Sequence, residues 1–204
     1  MLAAILFSIA LPAQAALTAA ASELIGKYVI DPARADLGRV HDLIIDLREG
    51  RVHYAVLGFA GWAGIFDKQF AIPMEEFTPA PYSDKLVLER AKDLLLLEPG
   101  IDSTGVPDGE AEYWRGIDRW YERHDTRGLP LRQYARASRL IGRSLVDRTG
   151  EPIGELRDLR VDLASGRVLD VLLALEGDAR SVPLSMLRVP SSGAAIVLNS
   201  GERP

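Results

Sequence analysis

The sequence lacks cysteine, which excludes disulfides, thiolate metal ligands and thiol nucleophiles together. Positive charge is also scarce, because 24 Lys and Arg residues face 29 Asp and Glu residues and the formal net charge is -5. Nucleic-acid-binding proteins normally carry a net basic face, so nucleic acid is not an expected partner. The three histidines, His41, His53 and His124, are spread singly. We therefore expect surface histidines, no metal site and no cofactor.

The N-terminal apolar run is too short to span a membrane. It covers residues 2–11, whereas a transmembrane helix needs about 20 apolar residues. Pro12 and the small residues of Ala13-Gln14-Ala15 follow it, a pattern typical of a signal-peptide cleavage site. We predict a signal peptide over residues 1–15 and export to the periplasm or cell envelope. No Lys or Arg precedes Lys27, so a retained membrane anchor and an uncleaved cytosolic tail remain alternatives.

An internal repeat organises the remaining chain. The segment Ser-Glu-Leu-Ile-Gly at 22–26 returns as Ser-Arg-Leu-Ile-Gly at 138–142, and the register then holds without a gap to Phe59 and Leu175. This self-similarity indicates a duplicated module. The recurring pairs include Asp31 with Asp147, Gly38 with Gly154, Asp42 with Asp158, Asp46 with Asp162, and Gly50 with Gly166.

Comparison of the two copies predicts half-buried strands. Positions 43, 45 and 47 are apolar in the first copy, as are 159, 161 and 163 in the second, whereas Ile44 is replaced by Arg160. Such period-two alternation is typical of a strand with one buried face. Segments 46–50 and 162–166 are predicted hairpin turns, since each begins with Asp and ends with Gly. Five or six short strands per copy predict an all-β fold of two tandem small β-barrels.

The ordered motifs resemble the PRC-barrel family. They are Leu-Ile-Gly-[Lys/Arg], an Asp turn, Gly-x-[Val/Leu]-x-Asp-Leu, Asp-Leu-x-x-Gly-Arg-Val and an apolar-Pro-apolar strand, and the series occurs twice. The resemblance implies tandem barrels at 22–97 and 136–200, joined by a partly helical linker at 98–135. It also implies a module that contacts proteins, with no catalytic set. We expect neither the separate RNA-associated domain of the ribosome factor RimM nor the transmembrane helix of the reaction-centre H subunit.

The linker is predicted to cover an apolar sheet face. Residues 110–123 can form a helix with Trp114, Ile117 and either Trp120 or Tyr121 along one stripe. Strands 52–59 and 168–175 are largely apolar on both faces, so a barrel interior explains only one face of each. We expect the repeats to pack against each other with the linker stripe between them.

Four aromatic residues and one isoleucine are the candidates for partner binding. The first copy carries an extension at 61–68, where the second has the shorter, polar segment 176–180. Aromatic residues on a glycine-hinged loop are typical of contact anchors, although they can also cap their own barrel. The predicted partner-binding residues are Trp62, Ile65, Phe66, Trp114 and Trp120.

The repeated carboxylates do not suggest catalysis. Asp42 and Asp46 are four residues apart, so a straight strand separates them by about 13 Å, too far for a paired-carboxylate hydrolase. We therefore predict a non-enzymatic protein-interaction or assembly module of the bacterial periplasm or cell envelope. The alternatives are a carboxylate enzyme with its site between the barrels and a cytosolic, RimM-like ribosome-associated factor. A membrane contact would require the uncleaved N-terminus.

Overall fold

The computed structural model describes residues 17–59, 68–90, 100–101, 111–121, 133–190 and 193–199. Within these ranges the α-helices are α1 (Ala21–Leu24), α2 (Ala111–Trp120) and α3 (Ala137–Leu140). The first repeat and the linker contain β1 (Thr18–Ala20), β2 (Tyr28–Ile30), β3 (Asp36–Asp46), β4 (Arg51–Phe59), β5 (Lys68–Pro73), β6 (Phe77–Pro79), β7 (Leu86–Leu88) and β8 (Gly100–Ile101). The second contains β9 (Tyr134–Arg136), β10 (Ser144–Val146), β11 (Pro152–Asp162), β12 (Val168–Leu175), β13 (Asp178–Val182), β14 (Leu187–Arg188) and β15 (Ile196–Leu198).

The two repeats have the same sheet topology. The first sheet runs β6-β7-β2-β3-β4-β5 with β8 at its edge, and the second runs β14-β15-β10-β11-β12-β13. In both, the first strand after the short helix pairs in parallel with the last, as β2 with β7 and β10 with β15. Each sheet curls into a half-barrel. The predicted all-β class and tandem barrels are confirmed.

The central hairpin of each repeat closes as predicted. Gly50 and Gly166 end the two turns with φ of 65° and 70°, the left-handed region that residues with a Cβ resist. In the first repeat, Oδ1 of Asp46 accepts the backbone N–H groups of Arg48 at 2.8 Å and Glu49 at 3.1 Å. The recurring Asp at this position therefore stabilises a turn.

Each repeat sends its N-terminal segment onto the sheet of the other. We call β1 with α1 the first arm and β9 with α3 the second arm. Thr18 of the first arm pairs with Asp162 in β11, and Tyr134 of the second arm pairs with Asp46 in β3. Position 134 follows 18 by 116 residues, and 162 follows 46 by the same interval. The repeats are therefore related by a pseudo-two-fold exchange of arms.

The prediction that the repeats pack together is confirmed, and the arms make the contact. Arg51 and Arg167, which are equivalent residues, form an antiparallel bridge at the junction. Beside it, the Val52 N–H group donates to the Gly166 carbonyl at 2.7 Å. One continuous apolar core contains buried residues from both repeats and both arms. Burial of this shared core removes apolar surface that each repeat alone would expose.

The linker helix α2 packs on the outer face of the first repeat's sheet and against Tyr134 of the second arm. The expectation that its stripe fills the space between the repeats is wrong, because the arms already occupy that space. Trp114 and Ile117 of α2 instead pack in a second buried cluster. Its other buried members are Ile44, Tyr54, Val56, Ala71, Ile101 and Tyr134.

Candidate functional site

The structure separates the predicted partner-binding residues into three groups. Trp62, Ile65 and Phe66 lie outside the described residues. Trp114, another predicted partner-binding residue, is only 1% exposed, because its side chain packs inside the chain. Trp120, on the same helix, is 54% exposed. Trp120 therefore remains a candidate contact residue within the part of the chain that the structure describes.

A polar-aromatic cluster holds α2 against the first sheet. The Trp114 ring stacks on Tyr54 with centroids 5.8 Å apart and an interplanar angle of 17°. The carboxylate of Asp118, fully buried, accepts hydrogen bonds from the hydroxyls of Tyr54 and, at 3.2 Å, Tyr134. A buried carboxylate is tolerated only with such donors. Sequence analysis missed Asp118, although its position four residues after Trp114 places both on one helical face.

The recurring Asp residues of β3 and β11 anchor the exchanged arms. Oδ1 of Asp42 accepts the Ser138 N–H group at 3.1 Å, while Oδ2 accepts the Ser138 hydroxyl at 2.5 Å and the Arg136 Nε–H group at 2.7 Å. At the equivalent position Asp158 accepts the Ser22 N–H group at 3.2 Å and the Ser22 hydroxyl. Both Ser and Asp recur with the repeat, so the sequence contained the signal for this pairing. These carboxylates have a structural role.

A pocket at the junction offers no acid-base pair. Its volume is about 430 Å³, and the Gln133 side chain donates to the Val189 carbonyl at 2.8 Å on its wall. Among the residues that the structure describes there, none is Asp, Glu or His. An enzyme working by general acid-base catalysis needs such groups within reach of its substrate. The lining residues are Leu47, Gln133, Leu184, Leu187, Arg188, Val189, Pro190 and Asn199.

One histidine contradicts the expectation of surface histidines. His53 is only 2% exposed, and it lies with Asp46 and Glu49 so that one ligand atom of each falls within 4.8 Å of the others. Its Nε2 atom is 3.0 Å from Oε2 of Glu49. Sequence spacing missed this cluster because the three residues come from a strand, a turn and the next strand. His41 is exposed, as expected, and His124 lies outside the described residues.

Several titratable groups have shifted pKa values. The backbone N–H and then the hydroxyl of Ser165 hold the pKa of Asp162 below its ordinary value. The Thr149 hydroxyl lowers the pKa of Asp147 in the same way. Burial raises the pKa of Tyr113 to about 12. The two Asp residues lie at turns and Tyr113 lies on α2, so local hydrogen bonding and helix packing explain the shifts.

Within the described ranges, the structure contains no helix with both the length and the apolar character needed to cross a membrane.

Comparison with known proteins identifies a duplicated domain. The family model for the PRC-barrel domain matches residues 18–95 and again residues 133–203. Both matches begin at the arms, which places β1 and β9 inside the repeating unit. No curated protein matches the chain.

Proposed function

The chain belongs to the PRC-barrel domain family, and we propose that it is a non-enzymatic protein-interaction or assembly module of the bacterial periplasm or cell envelope. The described carboxylates support this proposal, because Asp42 and Asp158 anchor arms and Asp46 caps a turn. The junction pocket adds support, since its described lining has no acid and no histidine.

The exposure of Trp120 carries the proposal. Trp114 and Ile117, respectively six and three residues before it, are 1% and 3% exposed and fix α2 on the sheet. Trp120 is therefore presented from a rigid element with 54% of its surface exposed. Tryptophan buries a large area on binding at modest entropic cost, and rigid presentation reduces that cost further. It is also among the residue types that contribute most to protein interfaces.

Export is the proposed route to the envelope. The Leu163 N–H group donates to the Leu17 carbonyl at 2.8 Å, and strand β1 begins at Thr18. Cleavage after Ala15 would keep this arm whole, whereas cleavage several residues later would remove it. We expect the intact mass of the native protein to correspond to a chain that starts at Ala16. A mass that includes residues 1–15 would favour the retained-anchor or cytosolic alternative.

Photo-crosslinking from α2 tests the interaction. Position 116 is suitable because a Cβ at Gly116 meets no atom within 4 Å. We expect a photo-crosslinking amino acid there to capture one defined envelope protein in cells when Trp120 is present, and to lose it with Trp120→Ala. Tyr82, which is fully exposed in a turn of the first repeat, provides the control position for non-specific capture.

The outcome separates the candidate functions. Capture that is equal at positions 116 and 82, or unchanged by Trp120→Ala, would reject the contact surface. Capture of ribosomal proteins would favour the ribosome-associated alternative. The free energy of unfolding should fall less in Trp120→Ala than in Trp114→Ala, because Trp120 is 54% exposed whereas Trp114 is 1% exposed.

A further inference from the structure

We propose that Asp46, Glu49 and His53 bind one divalent transition-metal ion of the zinc class. One ligand atom from each side chain lies within 4.8 Å of the other two. Asp46 and His53 are 1% and 2% exposed, while the Glu49 side chain is 44% exposed and gives access from solvent. This inference is independent of the proposed interaction function.

The donor chemistry fits zinc. Two carboxylates and a neutral imidazole supply two negative charges and the oxygen and nitrogen atoms that zinc accepts in proteins. Tetrahedral ligands at about 2.0–2.1 Å from zinc are about 3.3 Å apart. The 3.0 Å distance between Nε2 of His53 and Oε2 of Glu49 is near that value. Three protein ligands leave a fourth position for water.

The side chain of Arg51, which lies between Glu49 and His53 in the sequence, contacts groups other than the three proposed ligands. The guanidinium of Arg51 donates to the Ser165 carbonyl of the second repeat at 2.8 Å and lies 3.9 Å from the carboxylate of Glu75. Arg51 is thus engaged by acceptors other than the three proposed ligands.

The second repeat shows that the hairpin does not need these ligands. At the positions equivalent to Glu49 and His53 it has Ser165 and Leu169. There the N–H and hydroxyl groups of Ser165 both donate to Asp162 at 2.8 Å, and the same turn closes. Turn formation therefore explains Asp46 but neither Glu49 nor His53. Their convergence on one point is what a metal site requires.

A bound ion would cross-link the hairpin beside the junction. Asp46 ends β3, Glu49 lies in the turn and His53 lies in β4. The next residue of the turn, Gly50, accepts the Val168 N–H group at 2.9 Å from the second repeat. Metal binding would thus stabilise the contact between the repeats. At zinc 100-fold above its dissociation constant, we expect the melting temperature to rise by about 5–10 °C.

Zinc titration of the tag-free full chain tests the site. We expect calorimetry to give one ion per wild-type chain, and His53→Leu or Glu49→Ser to weaken binding more than 100-fold, since loss of even an outer partner costs about 10- to 100-fold. Both substitutions copy the residues of the second repeat. Glu49 is exposed, so Glu49→Ser remains informative if the buried His53→Leu variant does not fold. His41→Leu, which removes an exposed histidine, should bind like the wild type.

Transplantation of the site provides the converse test. Ser165→Glu combined with Leu169→His should complete a second site with Asp162 and raise the stoichiometry from one ion to two. Wild-type binding that His53→Leu and Glu49→Ser both leave unchanged would overturn the proposal, as would no zinc binding by the wild type. A folded double variant that still binds one ion would show that the three ligands are insufficient, which also contradicts the proposal.

Discussion

The outer faces of the two sheets differ, although their inner faces and arms match. In the first repeat the outer face is apolar and α2 covers it. At the same positions the second repeat has an ion pair between Arg160 and Asp170 and no fully buried side chain. The positions are Ile44, Tyr54, Val56 and Ala71 in the first repeat, and Arg160, Asp170, Leu172 and Ser181 in the second.

This difference shows how duplication can divide structural tasks. The arm exchange requires the same Ser and Asp residues on both sides, because each arm docks on an equivalent strand. The outer faces have no such mutual requirement. The first is covered by α2, which carries the exposed Trp120, whereas the second carries the exposed Arg160 paired with the half-buried Asp170.

We expect the largest loss of stability at the outer face of the first repeat, which α2 covers. Trp114→Ala should lower the free energy of unfolding by about 3–5 kcal/mol, because it removes a buried ring and leaves a cavity beside Tyr54. Leu172→Ala on the open, half-buried face of the second repeat should cost about 1 kcal/mol. Urea unfolding measures both values. Equal costs would contradict the asymmetry of the two faces.

The two Asp residues that anchor the arms, Asp42 and Asp158, should contribute unequally to the free energy of unfolding, with a smaller difference than that between the two outer faces. Asp42→Asn should cost about 2–3 kcal/mol, since it weakens charge-assisted bonds to Ser138 and Arg136 at a buried site. Asp158→Asn should cost about 1 kcal/mol, because the first arm has Ala20 where the second has Arg136. Chemical denaturation of both variants tests this order. An equal or reversed order would show that Arg136 adds nothing to the second arm.

Loss of the hydroxyl should change the free energy of unfolding differently at two tyrosines, Tyr54 under α2 and Tyr113 on α2. Tyr54→Phe should cost about 1.5–3 kcal/mol, because it removes a donor from the buried carboxylate of Asp118. Tyr113→Phe should be neutral or stabilising, since its buried hydroxyl has no hydrogen-bond partner among the residues that the structure describes.

Alkaline unfolding adds a second measurement on Tyr113. Its folded pKa of about 12 lies above the ordinary value of 10, because burial penalises the ionised hydroxyl. The free energy of unfolding should therefore be unaffected by this ionisation below pH 10 and fall as the pH rises from 10 towards 12. Tyr113→Phe should lack this part of the alkaline loss. A large destabilisation of Tyr113→Phe at neutral pH would contradict the assignment.

The smallest effect concerns the turn of the second repeat. The pKa of Asp162 lies below its ordinary value, so its stabilising contribution is present above the unfolded pKa and is lost as the pH falls through the folded pKa. Ser165→Ala should raise that pKa towards the ordinary value while the backbone donor remains. Carboxyl NMR titration measures the change. An unchanged pKa would show that the hydroxyl contributes nothing.

The sequence by itself determined the repeated architecture. The 116-residue register, the alternation at positions 43 to 47 and the turns ending at Gly50 and Gly166 are local signals, since strand and turn preferences depend on near neighbours. The family motifs occur twice in order, and the family match is consistent with both copies. The helix at 111–120 also follows from its apolar stripe.

Only the tertiary structure decided which repeat each arm and the linker contact. Thr18 pairs with Asp162, which lies 144 positions later in the sequence. Hydrophobic periodicity cannot show whether an arm packs on the sheet of its own repeat or on the sheet of the other repeat. The burial of Trp114 and the convergence of Glu49 with His53 likewise depend on elements meeting in space. Apolar patterning specifies that a face must be buried, but the covering element is chosen by the complementarity of the whole assembled surface.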